Sequence, residues 1–475
     1  MFLILEKNYK RQLSLAALLL NTERKIHLKE LAQFQNCSTK TCTQDLYELQ
    51  KRMPSNWEIV FENNLVYLVK NGTGNFNWLY NQYFESSLSF EFFKTSFKDT
   101  SKSVFHFSEE LFISKSHLYK KIANFKKALP DEISFSSTTM SLIGEELYIR
   151  LALSGVIAKV PSYKKWGFDI NSITEDSNYI TMIEKELQIK FNPLAKLRFL
   201  YWIETCKRRR HMHPIETLRV DKLPFYLALS EETKATLMRN QLPINEMEVM
   251  TLMLGAHLNF PYFIDNSEEK YLELFRNHYP ENYSLAKAMA ESLIGQDSSE
   301  YAYVVLYIAN LLTIFKEYDY LQFFHTELFC PIEGVEKIVS KKIQNVVEQN
   351  CLDLNKREQA NLAMYIYNAC SNKVVETICS PIKIAFYSEG SLIFQESMVN
   401  KIVNRYQGLV EVCLDENAYK DCDLIICDSF FDTENLQQIN NRQAVYMWET
   451  IPIKRNWHEL DELIMEITYN KNVNG

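Results

Sequence analysis

Thr39, Lys40, Thr41, Thr43, Gln44, Tyr47 and Lys51 fall on the polar side of one helical stretch, with no nucleophile–base pair and no metal-ligand cluster among them. Their chemistry is hydrogen bonding plus positive charge. A Gln pairs with adenine, a Lys with guanine or a phosphate, and a Thr methyl meets a thymine methyl in the major groove of DNA. Further along, Lys115, Ser116, His117, Tyr119, Lys120 and Lys121 line a second such face, extended by Lys126 and Lys127. Five lysines suit backbone phosphates better than base edges. Taken singly, each residue could equally belong to a solvated helix surface. Taken together, the two faces predict contact with double-stranded DNA.

The elements that must carry these faces repeat. Ser38 to Pro54 (STKTCTQDLYELQKRMP) recurs 76 residues later as Ser114 to Pro130 (SKSHLYKKIANFKKALP). A Ser opens each helix as N-cap. Cys42, Leu46, Leu49 and Met53 match Leu118, Ile122, Phe125 and Leu129, and helical spacing puts each set on one buried stripe. Upstream, Ala32 and Ser108 supply the small residue at which two helices can cross, as in a helix-turn-helix.

Around the first copy, Leu13–Leu20, Leu28–Phe34 and Ser38–Met53 read as helices. Trp57–Phe61, an Asn63-Asn64 turn and Val66–Val69 read as a hairpin, which completes a winged helix-turn-helix. After a short linker at Gly72–Asn77, a second three-helix unit follows, with a wing expected over Ile133–Tyr148 that ends in the phrase Gly144-Glu-Glu-Leu-Tyr-Ile-Arg150. A fainter repeat aligns Ile244–Leu252 with Leu354–Leu362 and Phe199–Tyr201 with Val305–Tyr307, as two all-helical units of similar size would. Beyond Pro381 the pattern alternates: strand Ile382–Tyr387, helix Phe394–Tyr406, strands Leu409–Cys413, Asp423–Cys427 and Ala444–Trp448, and a closing helix from Trp457. That alternation predicts a small parallel α/β domain.

Composition agrees. Only 11 of 475 residues are Gly, which argues against glycine-rich phosphate loops and turn-dense β-sandwiches and favours a helical chain. Residues 1–150 hold 19 Lys+Arg against 16 Asp+Glu, whereas the remainder holds 33 against 44, a mildly basic head on an acidic body. Ten Cys include no C-x-x-C and no Cys/His set at zinc spacing, so reduced core thiols of a cytoplasmic protein are expected. The longest N-terminal apolar run, Leu13–Leu20, is too short to span a bilayer, and no membrane association is expected. No cofactor, metal site or enzymatic activity is expected either.

With these parts in this order, the chain resembles the Mga/AtxA family of virulence-gene regulators of Gram-positive bacteria, most specifically in its paired recognition helices and the Gly144–Arg150 phrase. The resemblance implies a multidomain, mainly α chain. It would comprise two N-terminal winged helix-turn-helix domains (1–72 and 73–160), two all-helical PTS-regulation (PRD) domains (161–278 and 279–380) and a C-terminal small α/β IIB-like domain (381–475). It further implies a transcriptional activator or global regulator, tuned by histidine phosphorylation from PTS phosphocarrier proteins. Candidate acceptors are His211 and His213, beside the basic run Lys207–Arg210, and His257. That run could help attract a phosphate donor or could simply be a solvated helix end. The family's further first-helix histidine is replaced here by Trp202 and Ile308, and Tyr367 stands opposite His257, leaving His325 alone in the second PRD. After strand Ile382–Tyr387 comes Ser388-Glu389-Gly390-Ser391, without the thiol that a working IIB component uses. A scaffold without that chemistry suggests self-association, a homodimer formed through Tyr387, Phe394, Phe430, Phe431, Tyr446 and Trp448. The alternatives are an RNA antiterminator, a phosphocarrier enzyme, and a sensory adaptor whose DNA-binding units have decayed.

Overall fold

A computed structural model describes residues 5–22, 24–72, 74–98, 102–160, 163–168, 170–210, 213–216, 223–239, 245–318, 334–378, 381–406, 408–414, 421–428 and 443–473. The chain divides into two compact units, Met1–Tyr283 with Ala309–Pro331, and Ser284–Ile308 with Ile332–Gly475.

The first unit opens with α1 (Lys7–Leu20), β1 (Ile26–His27), α2 (Leu28–Phe34), α3 (Thr39–Arg52), β2 (Trp57–Glu62) and β3 (Leu65–Lys70). The Ser38 hydroxyl accepts from the Thr41 N–H at 3.1 Å, so the predicted N-cap forms. Cys42, Leu46 and Leu49 are fully buried, and burial of each large apolar side chain is worth roughly 1.5–3 kcal/mol. The α2–α3 crossing closes over buried Ala32. Asn63 and Asn64 both adopt positive φ, which suits the tight hairpin turn between β2 and β3. The two-residue β1, absent from the sequence reading, pairs antiparallel with β3. Gln50 of α3 holds the wing: its amide donates to the Trp57 carbonyl at 2.9 Å and its oxygen accepts from the Ile59 N–H.

The second copy follows as α4 (Phe76–Glu85), α5 (Leu88–Lys98), α6 (Val104–Glu110), α7 (Lys115–Lys126), β4 (Ile133–Ser136), β5 (Ser141–Gly144) and α8 (Glu146–Lys159). Its core is aromatic, with the Phe92 ring 5.8, 5.1 and 4.8 Å from those of Phe107, Phe125 and Phe135. The wing is shorter than expected. The hairpin ends at Gly144, and the rest of the Gly144–Arg150 phrase turns into α8, because Glu145 takes the N-cap position and Leu147–Arg150 are buried as a helical turn.

The middle of the first unit is helical: α9 (Tyr163–Trp166), α10 (Ile170–Leu187), α11 (Pro193–Arg210), α12 (Pro224–Leu227), α13 (Glu231–Arg239), α14 (Glu246–Leu258) and α15 (Glu268–His278), with β6 (Ile189–Lys190) antiparallel to β7 (Tyr262–Phe263). Helix α11 seats on α14 at Gly255, where a Cβ would approach the Trp202 and Phe199 rings to 2.3 and 2.7 Å. Trp202 is fully buried and its indole N–H donates to the Thr251 carbonyl at 2.9 Å, which makes it a core residue. Helices α16 (Pro280–Ile294) and α17 (Tyr301–Tyr318) carry residues of both units.

The second unit continues with α18 (Gly334–Asn350) and α19 (Lys356–Ile378). Asn245 caps α14 by accepting from the Glu248 N–H at 2.9 Å, and Asn355 caps α19 by accepting from the Glu358 N–H at 3.0 Å. The segments aligned as the faint repeat thus begin their helices alike. The C-terminal part holds β8 (Ile382–Tyr387), α20 (Leu392–Arg405), β9 (Val410–Cys413), β10 (Leu424–Cys427), β11 (Ala444–Met447) and α21 (Lys454–Val473). Its sheet is wholly parallel in the order β11-β10-β8-β9. Ile382, Ile384 and Phe386 alternate into a core with Met398, Ile402, Leu460 and Ile464. Among the described residues, the expected aromatic docking surface does not form. Trp448 is 5% exposed and rests edge-on against Phe386 and Trp457, Phe394 packs on the same core, and Tyr446 reaches inward to the Asn456 carbonyl. Tyr387 is half-buried, and Phe430 and Phe431 lie outside the described residues. The most exposed apolar side chains of this part are aliphatic, Leu392, Ile393 and Ile451, and Tyr469 on α21 is the exposed large aromatic among its described residues.

Gly144 sits at φ +133°, and a Cβ there would meet the Glu132 carbonyl oxygen at 2.3 Å. Gly144→Ala should therefore destabilise the first unit by roughly 1–3 kcal/mol, read as a lower urea midpoint at an unchanged denaturant slope.

Candidate nucleic-acid interface

Thr39, Lys40, Gln44, Tyr47 and Lys51 are exposed along α3, while Thr41 and Thr43 are half-buried. Lys40, Thr43, Gln44, Tyr47 and Glu48 line an open depression of about 340 Å³. The Tyr47 ring stacks on Phe61 of the wing at 5.3 Å and 26°, so the recognition helix and the wing present one continuous face. Two expected contacts are partly engaged within the helix: the Thr43 hydroxyl donates to the Thr39 carbonyl at 2.9 Å, and the Thr41 and Ser38 hydroxyls lie 2.9 Å apart. Lys51 pairs with Glu48 at 2.6 Å, an exposed contact of small energetic weight.

What fixes α3 is a residue the sequence reading passed over. Asp45 is 3% exposed and accepts from Arg11 Nε at 2.6 Å, Arg11 Nη2 at 3.2 Å and Gln12 Nε2 at 3.1 Å, which ties α3 to α1. The carboxylate raises the Arg11 pKa through that hydrogen bond. The signal was present, since Asp45 stands three residues after Cys42 and four before Leu49, on the apolar stripe. An acid placed there must find a buried partner. At the other end of α3, Arg52 donates to the Ser86 and Tyr9 hydroxyls and lies over the Tyr9 and Tyr83 rings, joining the two copies.

On α7, Lys115, Ser116, His117, Tyr119, Lys120, Lys126 and Lys127 are exposed. Lys121 differs from the expectation. It is half-buried and its ammonium lies 3.4 Å from Glu6, the N-cap residue of α1. Lys121 is the repeat equivalent of Asp45, so α1 holds both recognition helices at the same position with opposite charges. Lys115 lies over the Phe105 ring at 4.3 Å.

Each copy matches a known family model. Residues 6–64 match the M protein trans-acting positive regulator (MGA) helix-turn-helix domain, and residues 73–154 match the Mga helix-turn-helix domain. The chain thus carries two helix-turn-helix domains of the Mga type. Among relatives, a protein described as a trans-acting regulator of Streptococcus pneumoniae is 25% identical over 193 residues, 40% of this chain and 38% of that protein. The capsule synthesis positive regulator AcpB of Bacillus anthracis is 20% identical over 355 residues, 70% of each chain. The match thus spans well under half the length of the first relative and about two thirds of the second. These are names of regulators, not of enzymes.

The histidine candidates separate by burial. His257 is 1% exposed: its Nδ1 lies 2.6 Å from Asn310 Oδ1, its Nε2 accepts from the Phe225 N–H at 3.3 Å, and its ring packs 4.4 Å from Phe225. Burial pushes its imidazole down to about 4, against the raising effect of Asn310. That corrects its assignment as an acceptor open to a phosphate donor. His213 is exposed, and His211 and His325 lie outside the described residues. The basic run is not a solvated docking patch. Lys207 pairs with Asp176 at 3.0 Å, Arg208 lies over Phe97 and Phe168, and buried Arg209 forks onto Glu146 at 2.9 and 2.7 Å. Beside it, fully buried Arg150 donates to Glu248 at 2.6 and 2.9 Å, to Glu146 at 3.0 Å and to the His213 carbonyl at 2.9 Å. The phrase that ends the second copy is thereby bolted to α11 and α14. Among the described residues, no helix is long and apolar enough to cross a membrane.

His257 binds its proton less readily folded than unfolded, so stability should fall as pH drops from about 6.5 towards 4. His257→Gln should flatten that pH dependence by up to one proton, about 1.4 kcal/mol per pH unit, in urea titrations across the window.

Proposed function

We propose that this chain is a DNA-binding transcription regulator that grips double-stranded DNA through α3 and α7. The observation that carries the reading is the pair of capped, buttressed helices with exposed Lys40, Gln44 and Tyr47 on one and exposed lysines on the other. Their division of labour follows from side-chain type. Helix α3 reads base edges through Lys40 and Gln44, with a Thr39 or Thr43 methyl against thymine. Helix α7 anchors the backbone through Lys115, Lys120, Lys126 and Lys127. The names of the relatives, a trans-acting regulator and a positive regulator, favour an activator. An RNA antiterminator is disfavoured by the helix-turn-helix N-terminus. A sensory adaptor with decayed DNA-binding units is disfavoured by the intact caps and cores of both copies.

Full-length protein titrated onto genomic duplexes at several salt concentrations tests the reading. Lys120→Ala should lower the log–log salt slope by about 0.9, because each neutralised phosphate contributes about that much. Lys121→Ala, whose ammonium faces Glu6, should change the slope less. Gln44→Ala should cost about 1–3 kcal/mol on a preferred sequence and little on random DNA. Absence of saturable duplex binding by the wild-type chain would refute the proposal.

Phosphotransferase-linked control is the finer part of the proposal. His213 is its best described acceptor, being exposed and having its backbone carbonyl accept a hydrogen bond from buried Arg150. A phosphoryl group there would add about two negative charges beside the arginine-rich joint that holds α8. Incubation with the phosphotransfer proteins and labelled phosphoenolpyruvate should give acid-labile label at His213 and none at His257. Label at His257 alone would reverse the assignment.

A further inference from the structure

The turn that joins the two helices of each helix-turn-helix is built twice from the same backbone. In the first copy the Asn36 N–H donates to Gln33 O and the Cys37 N–H to Ala32 O, each at 3.0 Å. In the second, the Phe112 N–H donates to Glu109 O at 3.2 Å and the Ile113 N–H to Ser108 O at 3.0 Å. Both turns therefore need a left-handed residue, and φ is 52° at Asn36 and 53° at Phe112. Asn tolerates that region, whereas a bulky aromatic there is an outlier that stability alone does not favour. Phe112 is also 95% exposed, the most exposed large apolar side chain among the described residues. A residue unfavourable in both backbone and solvation calls for a ligand.

Its surroundings say which. Phe112 stands two residues before the N-cap of α7, at the end of a recognition helix that enters a DNA groove first. Exposed Phe105 and Tyr119 lie on the two helices that flank it, with Lys115 over the Phe105 ring and Lys120 exposed on α7. Aromatic faces interleaved with ammonium groups fit stacked bases inside a polyanion better than they fit an apolar protein groove.

We propose that Phe112 is a wedge that inserts against a base step beside the phosphates held by α7, unstacking it and bending the duplex. The second helix-turn-helix then selects DNA by its deformability, which suits a lysine-rich face poor in base-reading side chains, while α3 reads sequence. Flexible pyrimidine–purine steps should be its preferred insertion points. This inference rests on the duplex-binding reading above.

The test is Phe112→Asn in the full-length chain, which installs the residue found at the same turn of the first copy. Dye-to-dye distance across end-labelled duplexes, with and without a central TA step, reports the bend. Wild type should shorten that distance, more so on the TA duplex. Phe112→Asn should abolish the shortening and weaken binding about tenfold, while its melting temperature holds or rises. Phe112→Trp should retain the bend. Wild type that binds without bending, or Phe112→Asn that binds and bends like wild type, overturns the wedge and leaves duplex binding standing. A wild-type chain that does not bind duplex at all overturns both.

Discussion

Three buried charges, Arg150, Arg209 and Glu248, together with the partly buried Glu146, form the joint on which the first unit depends. Two guanidinium groups and two carboxylates cancel in number. Further hydrogen bonds extend the joint, since Arg150 also donates to the His213 carbonyl, Arg209 to the Ser96 carbonyl at 3.2 Å, and Glu248 accepts from the Ile215 N–H at 2.9 Å. Buried ions in such a network are costly to desolvate, so the joint is not a simple source of stability. It does make the arrangement specific, because loss of any one member leaves a buried neighbour with part of its pairing unmet. It connects helix α5 and the last helix of the second DNA-binding copy directly to α11 and α14, so any event at the end of α11 bears on the wing and core behind α7.

The same economy appears at α1. This helix contributes Arg11 and Gln12 to α3 and, at its cap, Glu6 to α7. With Arg52 spanning Tyr9, Tyr83 and Ser86, the tandem DNA-binding module behaves as one folded body rather than two beads. The aromatic core of the second copy and the Tyr47–Phe61 stack of the first then carry that rigidity out to the exposed faces of α3 and α7, the surfaces proposed to meet DNA.

Local signals were legible in the sequence. The serine caps, the apolar stripes, the Asn-Asn turn and the α/β alternation after Pro381 are short-range patterns, and each forms close to where its residues predict. What the sequence hid was long-range pairing. The run Lys207–Arg210 reads as a solvated basic patch until its partners Asp176 and Glu146 are known, and those lie 31 and 63 positions from the residues they hold. His257 looks like any helical histidine because Asn310 and Phe225, which bury it, are equally remote. The C-terminal aromatics suggest a dimer contact from sequence, yet a four-stranded parallel sheet covered by α20 and α21 absorbs Trp448, Tyr446 and Phe394. Asp45 was readable on its own stripe, because a charge there needs a partner.

The inversion of charge between Asp45 and Lys121 bears on folding as well as on architecture. Two halves so alike in pattern and length risk trading partners as the chain collapses. If α1 docked with its two contacts exchanged, Arg11 would face Lys121 and Glu6 would face Asp45. Both encounters would set like charges together at partly buried sites, where repulsion is least screened. Opposite signs at one repeat position thus act as an address, letting a single short helix tell two near-copies apart before either is complete.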